Sequence, residues 1–307
     1  MFSFRKSFSF LLNIFLLIIL VPVLPAFARG SDETFNQESS ITLIDHFERE
    51  ISLESAAMTV VSLSPGITET VFALGYGDRL LGRTDYCDYP PEAASVPSVG
   101  SLTEPDIEAI VALNPDIVIA STHFPKEALD RLVAAGENVA VLMGQEFFQG
   151  AYDGVIRPVS LILGDPDAGE ALIASMVITV DKAFAAVAGF TRTPSVYYVV
   201  GFGEGGDWTA GGDTFISEMI KMAGGKNIAA DISGWSFSLE ALVDGDPDLI
   251  LLPGWAESIF KTTPVYSDLR AVKEGHAIVI DENAIVRQGP RLAEGFADLV
   301  KAIGSVN

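Results

Sequence analysis

The sequence predicts an α/β protein laid out as lobe, long helix, lobe, and three observations carry that expectation. Short apolar runs with strand character alternate with amphipathic helical runs over short connections, the pattern of parallel sheets covered by helices. Residues 167–187 are rich in Ala, Ile and Val, hold no proline and no glycine but Gly169, and read as a single helix about 30 Å long. Residues 106–120 recur as residues 238–252, at the equivalent place on the other side of that helix, which argues for duplicated architecture.

Taken from the N-terminus, residues 1–28 read as a signal peptide. Arg5 and Lys6 form a basic start, an apolar run fills 8–27, and Ala26-Phe27-Ala28 ends it in the small-x-small pattern that a signal peptidase cleaves. The run is nearly long enough to be a retained membrane anchor, but Pro25 just before the small residues favours cleavage. No cysteine stands at the cleavage point, as a lipoprotein would need. The chain is therefore expected to be exported. Residues 29–40 are a polar lead-in, expected to be disordered, and residues 41–53 alternate as a hairpin turning near 47–49. An N-terminal lobe is expected over 41–164, with strands at 60–63, 80–83, 117–120 and 139–142 and helices at 67–74, 107–113 and 126–135. The linking helix takes 165–189. A C-terminal lobe over 190–307 has strands at 196–200, 249–252 and 277–280 and helices at 215–222, 239–243 and 292–303.

Each copy of the repeat opens on a helix-capping residue, Asp106 or Ser238. Each continues with the apolar triplet of a short amphipathic helix, breaks at Pro-Asp and enters a buried strand. Glu108 and Glu240 hold the second helical position of the two copies. An acid in a first turn is explained by the helix dipole. The dipole does not explain why the same acid recurs on both lobes, where duplicated geometry would set the pair on one outer face.

Composition narrows the function. The formal charge is −22, and removing residues 1–28 takes away Arg5 and Lys6 and no acid, leaving −24. Such a chain is repelled by nucleic acid and by anionic lipid. Cys87 is the only cysteine, so no intramolecular disulfide forms. His46, His123 and His276 are far apart and show no ligand spacing, against a zinc enzyme or a bare-metal binder. There is no G-x-S-x-G elbow and no paired carboxylate standing out from the acidic background, so an enzyme reading has no supporting constellation. Residues 201–206 satisfy G-x-G-x-x-G, but loop residues rather than a helix come after them, so the motif is not a dinucleotide site.

Trp208 and Trp235 lie in Gly-rich loops, where an aromatic gains more by facing a ligand than by core burial. Trp255 comes just after a strand and is a further candidate. Cys87 reads either as a metal-ligating thiolate or as a small buried thiol.

Val61-Ser-Leu-Ser-Pro-Gly-Ile-Thr-Glu69, Asp85-Tyr-Cys-Asp-Tyr-Pro-Pro91, the two repeat copies and the segment from Thr214 to Ile228 together resemble the periplasmic vitamin B12-binding proteins. More broadly they resemble the class of ABC importer substrate-binding proteins that also takes haem and ferric siderophores. The likeness covers roughly residues 41–303. It implies two three-layer α/β lobes with parallel sheets, joined by one long rigid helix, with the ligand in the cleft between them and little closure on binding. It implies a monomer in the periplasm with no cofactor of its own and no catalytic or metal site. Tyr86, Trp208, Trp235, Asn283 and Arg287 are implied as ligand-binding residues, to which Trp255 is added from its place after a strand, with Arg287 and Arg291 otherwise reading as loop and capping charges. Glu108 and Glu240 are implied to dock the permease subunits. The expected ligand is a corrinoid, because an anionic siderophore would want several cleft cations and the chain has few. The alternatives are haem or a ferric siderophore on the same fold, a secreted enzyme, and a sensor or adhesin that has lost transport.

Overall fold

The computed structural model describes residues 40–142 and 147–307. The expected signal peptide and residues 29–39 of the lead-in lie outside the described residues. The chain enters through an antiparallel hairpin, β1 (Ile41–Ile44) and β2 (Glu50–Leu53), with Ile41 opposite Leu53. Period-two alternation turns Ile41, Leu43, Ile51 and Leu53 inward. Buried Asp45 fastens the turn. Its carboxylate accepts from the Phe47 and Arg49 N–H groups and from the Arg49 guanidinium, which also donates to the Val139 carbonyl. Val141 N–H donates to the same carboxylate, tying the hairpin to the sheet. Burial disfavours the charge of Asp45, but Arg49 and the backbone donors outweigh it and hold the pKa below the ordinary value.

The first sheet is built from β3 (Val60–Leu63), α1 (Pro65–Ala73), β4 (Leu80–Arg83), α2 (Ile107–Leu113), β5 (Ile117–Ser121), α3 (Lys126–Ala134) and β6 (Val139–Leu142). Its strands are all parallel, in the order β4-β3-β5-β6. They are covered on both faces, which is why they read as continuous apolar runs rather than alternations. Val60, Ile117, Ile119 and Ala140 face α1 and the hairpin, while Val61, Leu63, Val118 and Val141 face α2 and α3.

A helical run then leads out of the sheet: α4 (Phe147–Ala151), a π-helical turn (Tyr152–Ile156) and α5 (Arg157–Ile162). The long helix is α6 (Pro166–Val187). Pro166 sits at its first position, and Asp165 caps it by accepting from Ala168 N–H. Gly169 is required by packing, since a Cβ there would come within 2.2 Å of Ser160 Oγ on α5. Ile173, Met176, Val180 and Ala183 form the buried stripe, at the spacing of one helix face.

The second half comprises β7 (Ser195–Tyr198), β8 (Asp207–Trp208), α7 (Phe215–Met222), β9 (Lys226–Asn227), β10 (Ser236–Phe237), α8 (Leu239–Gly245), β11 (Leu249–Pro253), α9 (Glu257–Thr262), α10 (Arg270–Lys273), β12 (Ala277–Ile280), α11 (Glu282–Val286) and α12 (Leu292–Gly304). Its main sheet, β12-β11-β7-β9, is again all parallel. The buried stripe of α6 packs on Phe296, Leu299, Val300 and Ile303 of α12. Phe148 of α4 joins that core edge-on to Phe296, at 5.4 Å between ring centroids. The long helix is therefore not a free strut but part of the second core.

The sequence repeat is a structural repeat down to its hydrogen bonds. Asp106 caps α2 through Ala109 N–H, and Ser238 caps α8 through Ala241 N–H. Both helices end on a left-handed residue, Asn114 (φ 48°) and Asp246 (φ 32°), residue types that tolerate that region. The Pro-Asp of each copy then makes the same clip to the start of the strand beside it in the sheet, β3 in the first half and β7 in the second. Asp116 accepts from Thr59 N–H at 2.8 Å and donates its own N–H to Thr59 Oγ1 at 2.9 Å. Asp248 accepts from Ser195 N–H and donates to Ser195 Oγ, both at 2.9 Å.

Candidate functional site

In parallel α/β sheets the side chains free to meet a ligand lie beyond the carboxyl ends of the strands. The described residues form a cleft of about 490 Å³ in that position. The first half walls it with residues at or just past the strand ends: Ser64–Ile67 after β3, Tyr86 after β4, Ser121–His123 at the end of β5, and Leu142 of β6. The opposing wall is Phe215 of α7, Trp235, Asn283, and the segment from Val286 to Gln288. A smaller hollow of about 210 Å³, lined by Tyr198, Val200, Ile216 and Glu282, continues from it past Trp235 and Val286.

Four of the six ligand-binding candidates, Tyr86, Trp235, Asn283 and Arg287, line this one cleft. Tyr86 and Trp235 are 56 % and 42 % exposed, so each offers a ring face to it. Trp208 and Trp255 do not line it. Trp208 pairs with Ser236 across the β8–β10 ribbon, next to Trp235, and is half-exposed beside Gly201. Trp255 stacks on Phe202, with centroids 6.0 Å apart and planes 10° from parallel. Burial pushes the Glu282 carboxyl up, and a hydrogen bond from Trp255 draws it back.

Arg287 is tied in place. Its Nη1 donates to Glu69 at 2.9 Å and to Asp88 at 2.6 Å, and its Nη2 donates to the Tyr86 carbonyl at 3.2 Å. Burial works against its charge, but the two carboxylates more than offset that and raise its pKa. The same pairing, against burial, holds the Asp88 carboxyl below its ordinary value. Arg291 grips the other side of Glu69 through Nε at 2.9 Å and Nη2 at 2.8 Å, reaches Asp281 at 2.7 Å, and lies 4.0 Å over the Tyr89 ring.

Cys87 is fully buried against Thr84, and burial pushes its thiol up. It is the small buried thiol of the two readings, without access to the cleft. His123 is the cleft residue that sequence reasoning passed over. Only its position just past a strand end could have flagged it. A larger hollow of about 690 Å³ lies among α1, α6 and the start of α12, and shares no lining residue with the cleft. It sits away from the strand ends, so it is not the site the topology builds.

Residues 60–284 match the family model described as periplasmic binding protein. The chain belongs to the periplasmic binding protein family. A cobalamin-binding protein of Halobacterium salinarum is 30% identical over 85% of this chain and 73% of its own. The ABC transporter substrate-binding lipoprotein YvrC of Bacillus subtilis is 28% identical over 86% of this chain and 85% of its own. Among solved structures, the apo periplasmic heme-binding protein RhuT of Roseiflexus superposes with a TM-score of 0.74 at 30% identity, over 82% of this chain and 99% of that one. The two-lobed fold with its long helix is the fold of such periplasmic binding proteins. The family is one of substrate-binding proteins of ABC importers, not of enzymes.

In this binding protein Glu108 and Glu240 stand exposed in the first turns of α2 and α8, and neither has an ion-pair partner among the described residues. The capping is done by Asp106 and Ser238, so neither glutamate is needed as a cap. No described helix is long and apolar enough to cross a membrane.

Proposed function

We propose that the protein, exported and released by cleavage after Ala28, captures a corrinoid in the cleft and delivers it to the permease of an ABC importer. The observation that carries this reading is the absence of free positive charge from the cleft wall. Among its described lining residues Arg287 is the one Arg or Lys, and its charge is matched by Glu69 and Asp88. A dianionic porphyrin or a polyanionic siderophore would have its carboxylates desolvated against no available cation, which is costly. A corrinoid carries neutral amide side chains instead. Ser64, Ser121, Thr122, Asn283 and Gln288 offer hydroxyl and amide partners for them, and Tyr86 and Trp235 offer ring faces for the macrocycle.

One observation favours a second reading. His123 is exposed on the cleft wall and has no hydrogen-bond partner among the described residues. A neutral imidazole suits the iron of haem. Calorimetric titration of the purified protein with cyanocobalamin and with haem separates the two. The corrinoid reading expects cyanocobalamin to bind with a stoichiometry of one and haem to bind far more weakly. Tight haem binding with no heat from cyanocobalamin moves the assignment to haem.

Delivery is assigned to Glu108 and Glu240. One carboxylate from each half, at equivalent places in a duplicated unit, suits two equivalent cationic pockets on a permease. Charge-assisted pairs of that kind set orientation as well as affinity.

A further inference from the structure

We propose that Glu69 is a positioning residue that locks the two lobes together behind Arg287 of the cleft wall and thereby sets the cleft's width. Glu69 lies on α1, in the first half of the molecule, and its side chain is 2 % exposed. Both of its partners come from the second half, 218 and 222 residues further on. Each partner then reaches a second carboxylate, Arg287 to Asp88 and Arg291 to Asp281. The five side chains form one chain of alternating charge across the seam. Their central members are about nine-tenths buried, with Arg287 at 10 % and Arg291 at 11 % exposure.

The backbone seals the same seam. A Cβ on Gly66 would meet the Gln288 carbonyl oxygen at 2.8 Å, and one on Gly289 would meet the Gly66 carbonyl oxygen at 3.0 Å. The loop before α12 therefore rests directly on the first turn of α1. Gly66 and Gln288 also line the cleft, and Arg287 holds the carbonyl of Tyr86. Any change in the seam is thus passed to both walls. The long helix α6 joins the lobes along one side. The Glu69 lock is a second fastening, and two fastenings remove the freedom of rotation that one helix leaves.

A buried pair that loses one partner leaves the other charge uncompensated, so the seam should part when Glu69 is neutralised. The test uses spin labels on Glu127→Cys of α3 and Lys273→Cys of α10, with Cys87 too buried to label. In the apo protein the inter-lobe distance distribution should be narrow. Glu69→Gln should broaden it and move it to longer distance, and should weaken cyanocobalamin binding about tenfold, or 1.4 kcal/mol. Saturating cyanocobalamin should restore the parental distribution, and a parental thermal midpoint in the apo variant separates a parted seam from a simple loss of stability. Arg291→Gln leaves the Arg287–Glu69 pair in place and should broaden the distribution in the same direction, covering the case in which Glu69→Gln does not fold. Parental distributions in the folded apo variants overturn the lock. The affinity arm rests on the corrinoid reading and the apo distances do not, so a parent that fails to bind cyanocobalamin sinks that reading and leaves the lock to be decided by the distances.

Discussion

The double variant Glu108→Ala, Glu240→Ala is expected to bind its ligand as tightly as the parent and to fail to deliver it. Both glutamates lie on helices α2 and α8 and line no part of the cleft. Neither caps its helix, so folding should be nearly unaffected, with a loss of about 0.3–1 kcal/mol each from the dipole contribution. Uptake in cells and stimulation of the transporter's ATPase should fall about a hundredfold, because losing two desolvated charge pairs removes several kcal/mol from docking. Each single variant should fall by less, since one anchor remains. Uptake at the parental level, at equal amounts of protein, would leave the two acids as dipole residues and nothing more.

Trp235→Ala is expected to weaken ligand binding by about 1–3 kcal/mol with little change in stability. Trp235 is the one tryptophan that lines both the cleft and the smaller hollow behind it. It is 42 % exposed without ligand, so its area is available to be covered on binding. Trp255→Ala is the informative control. Its ring already stacks on Phe202 and it does not line the cleft, so affinity should change by less. Equal losses from the two variants, measured by calorimetry, would mean that the ligand reaches well beyond the cleft.

The sequence carried the fold wherever local chemistry repeated. Asp106 and Ser238, each leading into an apolar triplet and a Pro-Asp break, announce the two helix–strand units, and both are found with the expected caps. What it did not announce is the clip that closes each unit, because Thr59 and Ser195 differ in type and stand differently, one just before β3 and the other at the first position of β7. The helical run from α4 to α5 was also hidden. Gly150, Gly154 and Pro158 punctuate it as a loop would be punctuated, yet burial of Tyr152, Ile156 and Val159 outweighs their poor propensity. The β8–β10 ribbon is two residues per strand, too short for any period to show.

The candidate site was legible in its aromatics and less so in its charges. Tyr86 and Trp235 stood out as large rings in loops, where a core explanation is weak. Arg287 stood out as a loop cation, but nothing local says that its charge is matched by Glu69. That partner lies 218 residues away, on a helix whose sequence gives no reason to expect a buried acid. The matched charge changes the chemistry of the cleft from cationic to neutral, and the choice of ligand turns on it.

The visible absorption spectrum of the protein purified from its native host tests that choice most directly. A corrinoid in the cleft gives a corrin band at one equivalent per chain. A porphyrin Soret band, or the charge-transfer band of an iron–catecholate, would contradict a neutral cleft and reassign the ligand.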